Sequence, residues 1–176
     1  LFYENGYENT TVNDIIRKVG TSKGGFYYYF KAKEDLLNSL YSVFDREYEK
    51  FYENMDQNQD SLMKLKQLSQ YVSYFLEGNV SAELLAALYQ SQLAKKSQDN
   101  FLNPDRYYIN LVKKIISEGQ KKGEIRTDIS VEELAHDVLV LERGIIMDWC
   151  VQNGSFSLGY YGSRSFDLYI EFMRVG

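Results

Sequence analysis

Proline occurs once in 176 residues, at Pro104, and this scarcity narrows the fold more than any other feature of the chain. Chains built of many short strands need turn chemistry every few residues, and proline is among its commonest carriers. Here the punctuation is glycine after apolar runs and serine or threonine ahead of them, which marks helix ends and helix starts. The expected fold class is all-α.

The first segment, Leu1-Phe2-Tyr3, reads as the end of an amphipathic helix stopped by Gly6. The chain opens at Leu1, without methionine and inside a helical pattern, so residues upstream are expected. Thr11 and Asp14 form a capping-box pair, followed by Val12, Ile15, Ile16 and Val19 as one apolar stripe, with Gly20 closing the helix. Ser22 caps a second short helix that runs through Phe26 to Phe30; position on the helix puts Phe26, Tyr29 and Phe30 in the core of a small domain. Two short helices joined by a tight, glycine-containing turn outline a helix-turn-helix. A longer helix follows from Lys33 to about Asn54, then a polar loop at Met55–Asp60 and helices at roughly 61–77, 82–97 and 104–122, the last with Pro104 at its first position. Ser130 and Glu133 open a helix from Val131 to about Gln152, and a final helix covers roughly 157–174, softened by Gly159 and Gly162. The count is about nine helices, the first truncated.

Hydrophobic content of 44% and charged content of 26% belong to a globular chain. No apolar run approaches the roughly 18–20 residues that cross a membrane, so no membrane partner is expected. Single copies of cysteine (Cys150) and histidine (His136) disfavour a disulfide framework, a zinc site or a histidine-based hydrolase. They fit a cytoplasmic protein that is no enzyme and has no cofactor or metal. Cys150, in an apolar helix, reads as an inert thiol, and His136 as a helix-surface or interface residue.

The net charge of −5 opposes nucleic-acid binding only until it is divided along the chain. Residues 1–44 hold five basic and five acidic side chains, leaving 15 basic and 20 acidic ones for the remainder. No carboxylate lies between Asp14 and Glu34, and Arg17, Lys18, Lys23, Lys31 and Lys33 all fall there. That is a basic patch at one end of an acidic chain, suited to phosphate contact.

From Thr10 to Leu37 the sequence is TTVNDIIRKVGTSKGGFYYYFKAKEDLL, preceded by LFYENGYEN. Over about residues 1–40 it resembles the DNA-binding domain of the TetR/AcrR family of bacterial transcriptional regulators. The likeness rests on the order of Gly-Tyr, a threonine cap, Ile-Ile, Gly-Thr-Ser-Lys-Gly, Phe-Tyr-Tyr-Tyr-Phe and Lys-x-Lys-Glu-Asp-Leu-Leu. It implies a helix-turn-helix DNA-binding domain at 1–45 and a ligand-binding and dimerisation domain at 46–176. The function implied is that of a repressor that binds a palindromic operator as a homodimer and is released by a small molecule. Thr11 then offers its hydroxyl and helix N-terminus to a phosphate. Ser22, Lys23, Gly25 and Tyr28 face base edges, Lys23 as donor to guanine. Tyr27 and Lys33 clamp the backbone. The family often carries threonine where this chain has Gly25.

The helix at about 131–152 is apolar nearly all round, and the resemblance makes it, together with the helix at 157–174, the dimer interface; a buried helix within a monomer is the competing possibility. The middle helices carry Tyr71, Tyr74, Phe75, Tyr89, Phe101, Tyr107 and Tyr108, and the resemblance implies a ligand cavity there, lined by Tyr71, Phe75, Tyr89, Tyr108 and Trp149. With Glu77, Glu83 and Glu142, such rings suit a flat or cationic aromatic molecule. Ordinary core packing competes for each of them. Two rival functions are a helical enzyme using a buried carboxylate pair and a protein–protein adaptor without DNA.

Overall fold

The computed structural model describes residues 1–94 and 103–175 and contains nine helices among them. They are α1 (Phe2–Asn5), α2 (Val12–Val19), α3 (Lys23–Tyr29), α4 (Lys33–Glu53), α5 (Ser61–Asn79), α6 (Ala82–Ala94), α7 (Tyr107–Lys122), α8 (Val131–Val151) and α9 (Leu158–Met173). The fold is all-α; among the described residues the nearest thing to a sheet is an isolated bridge between Ile125 and Arg174. The expected helix at 82–97 is described as far as Ala94; its last residues and Phe101 lie outside the described segments.

The local signals act as their chemistry requires. Thr11 and Asp14 form a reciprocal capping box at α2, and Ser130 and Glu133 another at α8. Gly20 and Gly123 close α2 and α7 in the left-handed conformation, at φ 74° and 73°. One start signal fails. Pro104 does not open α7, because Asn103 and Pro104 instead form a turn, with the Asp105 N–H donating to Asn103 Oδ1 and the Arg106 N–H to Asn103 O. The helix begins three residues later than expected.

The body is α4–α9. Its core runs through Leu62, Leu65 and Leu68 of α5, Ile115 and Ile116 of α7, Leu134 and Val138 of α8, and Phe166 and Met173 of α9. The glycines of α9 are points of close approach rather than soft spots. A Cβ on Gly159 would lie 2.3 Å from the Tyr74 ring, and one on Gly162 would lie 2.4 Å from Ser73 Oγ, so α9 crosses α5 where only glycine fits. The head, α1–α3, is thin by comparison. Ile15 and Phe26 are the buried side chains of α2 and α3. Tyr29 and Val19, expected in the core, are 76% and 71% exposed, since two short helices offer too few neighbours to cover them.

Candidate functional site

Two regions carry functional geometry: the outer face of the head and a cavity in the body. In the head, Ser22 Oγ accepts from the Gly25 N–H and sets the start of α3. Phe26 is the anchor, with Tyr27 packed edge-on against it at 5.3 Å and Phe30 at 5.6 Å. Ser22, Lys23, Gly24, Tyr27 and Tyr28 are consequently left on the open face of α3, together with Arg17, Lys18 and Lys31 nearby. Gly25 has a local reason to lack a side chain, because a Cβ would stand 2.7 Å from Thr21 Oγ1. Gly24 has open space and is the residue that permits close backbone approach from outside.

Two expected phosphate ligands, Thr11 and Lys33, spend donors on partners within the head. Thr11 donates both its O–H and its N–H to Asp14 Oδ2, at 2.6 and 3.0 Å, so its donors serve the cap. These bonds, with Arg17 beside them, hold the Asp14 carboxyl below its ordinary range. Lys33 donates from Nζ to Tyr7 O at 2.7 Å, with the ammonium 4.1 Å above the Tyr7 ring. It ties the turn after α1 to the start of α4.

A second tie reaches the same turn from the body. Glu83, in the first turn of α6, accepts the Tyr7 N–H at 3.1 Å, and a Cβ on Gly6 would stand 2.9 Å from its carboxylate. Gly6 has φ 78°, a conformation that glycine adopts without strain. Glu83 therefore faces the head and not a ligand. Glu77 is also engaged elsewhere, accepting from Ser157 Oγ and the Gly159 N–H at the start of α9. Nothing in the spacing of the sequence marks Glu83 or Lys33 as joint residues; both partners are backbone atoms of a residue far away in the chain.

The cavity, about 70 Å³ and half open, is lined by α4–α8 and by Arg106 just ahead of α7. Tyr41, Phe44 and Tyr48 come from α4, Tyr89 from α6, Tyr108 from α7 and Glu142 from α8, with aliphatic side chains between them. Of the residues expected at a ligand site, Tyr89 and Tyr108 line this cavity. Tyr71, Phe75 and Trp149 do not. Tyr71 stacks flat on Phe51 at 4.0 Å, outside the cavity. Phe75 fills the gap behind Phe44 and Tyr48, and Trp149 donates Nε1–H to Phe156 O, bracing the α8–α9 turn. Glu142 is buried and accepts the Tyr108 O–H on both oxygens at 2.7 Å. Burial pushes its pKa up to about 7, against the opposing pull of Tyr108, Ser69 and Arg143. Burial also pushes the Cys150 thiol up to about 11, which keeps it unreactive.

On the body's surface, α8 exposes Val140, Gly144 and Val151 along one face, with Met147 between them half-buried against the core. Beside it, α9 exposes Tyr161, Leu168 and Phe172. His136 is exposed on α8. No helix of the described residues is long and apolar enough to cross a membrane.

Known proteins resemble the chain in both regions. Residues 1–40 match the family described as "Bacterial regulatory proteins, tetR family". The "Fatty acid metabolism regulator protein" of Bacillus subtilis (strain 168) is 26% identical over 161 residues, 88% of this chain and 80% of that protein. The "HTH-type transcriptional regulator QacR" of Staphylococcus aureus is 29% identical over 129 residues, 70% of this chain and 67% of that one. The crystal structure of the transcriptional regulator FadR from Bacillus subtilis, in complex with stearoyl-CoA, superimposes with a TM-score of 0.72 at 24% identity, covering 98% of this chain and 94% of that chain.

Proposed function

We propose that the chain, a regulator of the TetR kind by the match of its residues 1–40 and its likeness to curated relatives, is a repressor whose homodimer binds a palindromic operator and is released by a small molecule. The observation that carries the DNA contact is the open face of α3, where Ser22, Lys23, Tyr27 and Tyr28 stand within a stretch free of carboxylates. Lys23 reads a base edge, and Tyr28 reads or touches its neighbour. Tyr27 holds the phosphate backbone, with Lys18 and Lys31 as further cations at the flanks. Thr11 contributes by ordering the start of α2 through its capping box with Asp14.

Dimerisation is carried by the two apolar stripes of α8 and α9. Large exposed side chains aligned on two adjacent helices suit a four-helix contact between two copies, and Gly144, with nothing within 4 Å of a Cβ, allows close approach. Two-fold symmetry then calls for half-sites roughly 34–36 Å apart. The two units, 1–45 and 46–176, meet within α4 and at the turn held by Lys33 and Glu83. Because α6 carries Glu83 at one end and the cavity residue Tyr89 two turns on, occupation of the cavity moves the turn that positions the head. The coupling is reciprocal, so operator DNA weakens ligand binding by the same factor.

The test is selection from random duplexes at two salt concentrations, with wild type, Lys23→Ala and Tyr27→Ala. A palindrome is expected from wild type, a changed base preference from Lys23→Ala, and uniformly weaker binding from Tyr27→Ala. A folded dimer that enriches no site at either salt removes the regulator and favours an adaptor.

A further inference from the structure

From Leu1 to Phe30 the chain carries four aliphatic hydroxyls, and the structure employs three of them in its own turns. Thr10 donates to Gly6 O at 2.7 Å, Thr11 exchanges bonds with Asp14, and Ser22 accepts the Gly25 N–H at 3.0 Å. Thr21 is the exception: it is exposed, and among the described residues its Oγ1 forms no hydrogen bond. Its backbone is nevertheless fixed from both sides. Gly20 closes α2 in the left-handed conformation, the Thr21 N–H donates to Ile16 O at 3.2 Å, and the next residue, Ser22, caps α3. The hydroxyl leans over bare backbone. A Cβ on Gly25 would stand 2.7 Å from Thr21 Oγ1, so the space that a side chain at 25 would take is filled from the preceding turn. Lys23, two residues on, is likewise exposed, and no carboxylate lies between Asp14 and Glu34.

We propose that Thr21 is a base-reading residue of this head, and that Gly25 is bare so that the Thr21 hydroxyl is held over it. The proposal rests on the head binding duplex DNA through the open face of α3. A threonine hydroxyl both donates and accepts, and its methyl touches thymine, so a threonine on a fixed backbone discriminates among base edges. Ordering a contact residue costs affinity at an interface, and between two caps that ordering is already in place. Gly25 separates this role from a structural one. Its φ is not positive, so its backbone does not call for glycine, and within a helix glycine is a weaker former than alanine. Gly25→Ala therefore favours the helix once the Thr21 side chain turns aside about χ1 and Ser22 Oγ, 3.2 Å from the new Cβ, shifts slightly. A glycine kept for folding alone would be improved by that change. A glycine kept to seat a reading hydroxyl is not.

Random duplexes are selected with wild type, Thr21→Val, Thr21→Ser, Gly25→Ala and the double variant of Thr21→Val with Gly25→Ala, and the thermal midpoint of each protein is read alongside. Thr21→Val keeps the shape and removes a hydroxyl that has no partner in the protein, so it folds as the wild type does. It is expected to relax the base preference at one position of each half-site by roughly two- to tenfold, the range of one hydrogen bond. Gly25→Ala is expected to relax the same position while its midpoint stays at or above the wild-type value. The double variant is expected to match Thr21→Val alone, because both changes remove one and the same contact. Thr21→Ser keeps the hydroxyl and is expected to keep the preference. Unchanged preference in Thr21→Val overturns the proposal, as does binding that weakens equally on every sequence, the mark of a phosphate contact. An effect of Gly25→Ala at a different position does the same. Should Gly25→Ala misfold, Thr21→Val and Thr21→Ser decide between them. A wild type that enriches a site which Thr21→Val reads identically keeps the regulator and removes the reader; a wild type that enriches none removes both.

Discussion

The head and the body are built on different physical terms. In the body, α5 alone buries nine side chains, and the α5–α9 crossing is close enough to require glycine at 159 and 162. In the head, α2 and α3 bury one side chain each, and order comes from caps and a few polar ties: Thr11 with Asp14, Ser22 with Gly25, Lys33 and Glu83 with Tyr7. Apolar burial is cooperative and short-ranged, whereas a hydrogen-bonded tie contributes about 1 kcal/mol and is exchanged readily. A rigid body with a lightly held head can keep its own shape while the head changes orientation. This is the mechanical requirement of a switch that must respond without unfolding.

The sharpest way to break this contrast is to weaken the body. Ile115 is fully buried between α5 and α8, so Ile115→Ala is expected to lose about 2–5 kcal/mol in urea unfolding, followed by the fluorescence of the buried single tryptophan, Trp149. A loss below about 1 kcal/mol would mean that the core collapses around the gap and that the body is no more rigid than the head. The body also carries a built-in weakness. Glu142 ionises near its ordinary value of 4.5 in the unfolded chain and at about 7 in the folded one. A raised carboxylate value contributes stability that is present below pH 4.5 and lost as the pH climbs through 7. The loss is of the order of 3 kcal/mol. It should appear as the difference between wild type and Glu142→Gln measured from pH 4 to pH 8; parallel curves would show that the carboxylate is not buried in solution.

How much of this was legible in the sequence follows from the range of the interactions concerned. Capping boxes, glycine stops and the helix order lie within four residues of one another, and they read correctly. The Pro104 start misread for the same reason inverted: Asn103 satisfies the backbone of its own turn before a helix can begin. The tyrosine run of α3 shows where local periodicity stops being informative. Phe26 is buried and Tyr29 exposed, because burial depends on what packs across, and the small head supplies little. In the body, Tyr71, Phe75, Tyr89, Tyr108 and Trp149 are equivalent by composition. Tertiary placement alone puts Tyr89 and Tyr108 at the cavity and Trp149 in a turn. Glu77, Glu83 and Glu142 were equally indistinct, and their partners lie 34 to 82 residues away.

The smallest expected effect isolates the head. Thr11→Ala removes the hydroxyl that accepts the Asp14 N–H and donates to the Asp14 carboxylate, and the loss of such a cap is typically about 1 kcal/mol. Since α2 has little apolar burial to fall back on, amide exchange should quicken from Ile15 to Gly20 while the amides of α7 and α8 keep their wild-type protection. The effect has a direction in pH. The Asp14 carboxyl is held below its ordinary value chiefly by Thr11, so its contribution is present above about pH 4 and fades as acid protonates it. Wild type and variant should therefore differ at neutral pH and converge in acid. Uniform acceleration across α2, α7 and α8 would instead make head and body one cooperative unit, and the lightly held head would have to be given up along with the switch that depends on it.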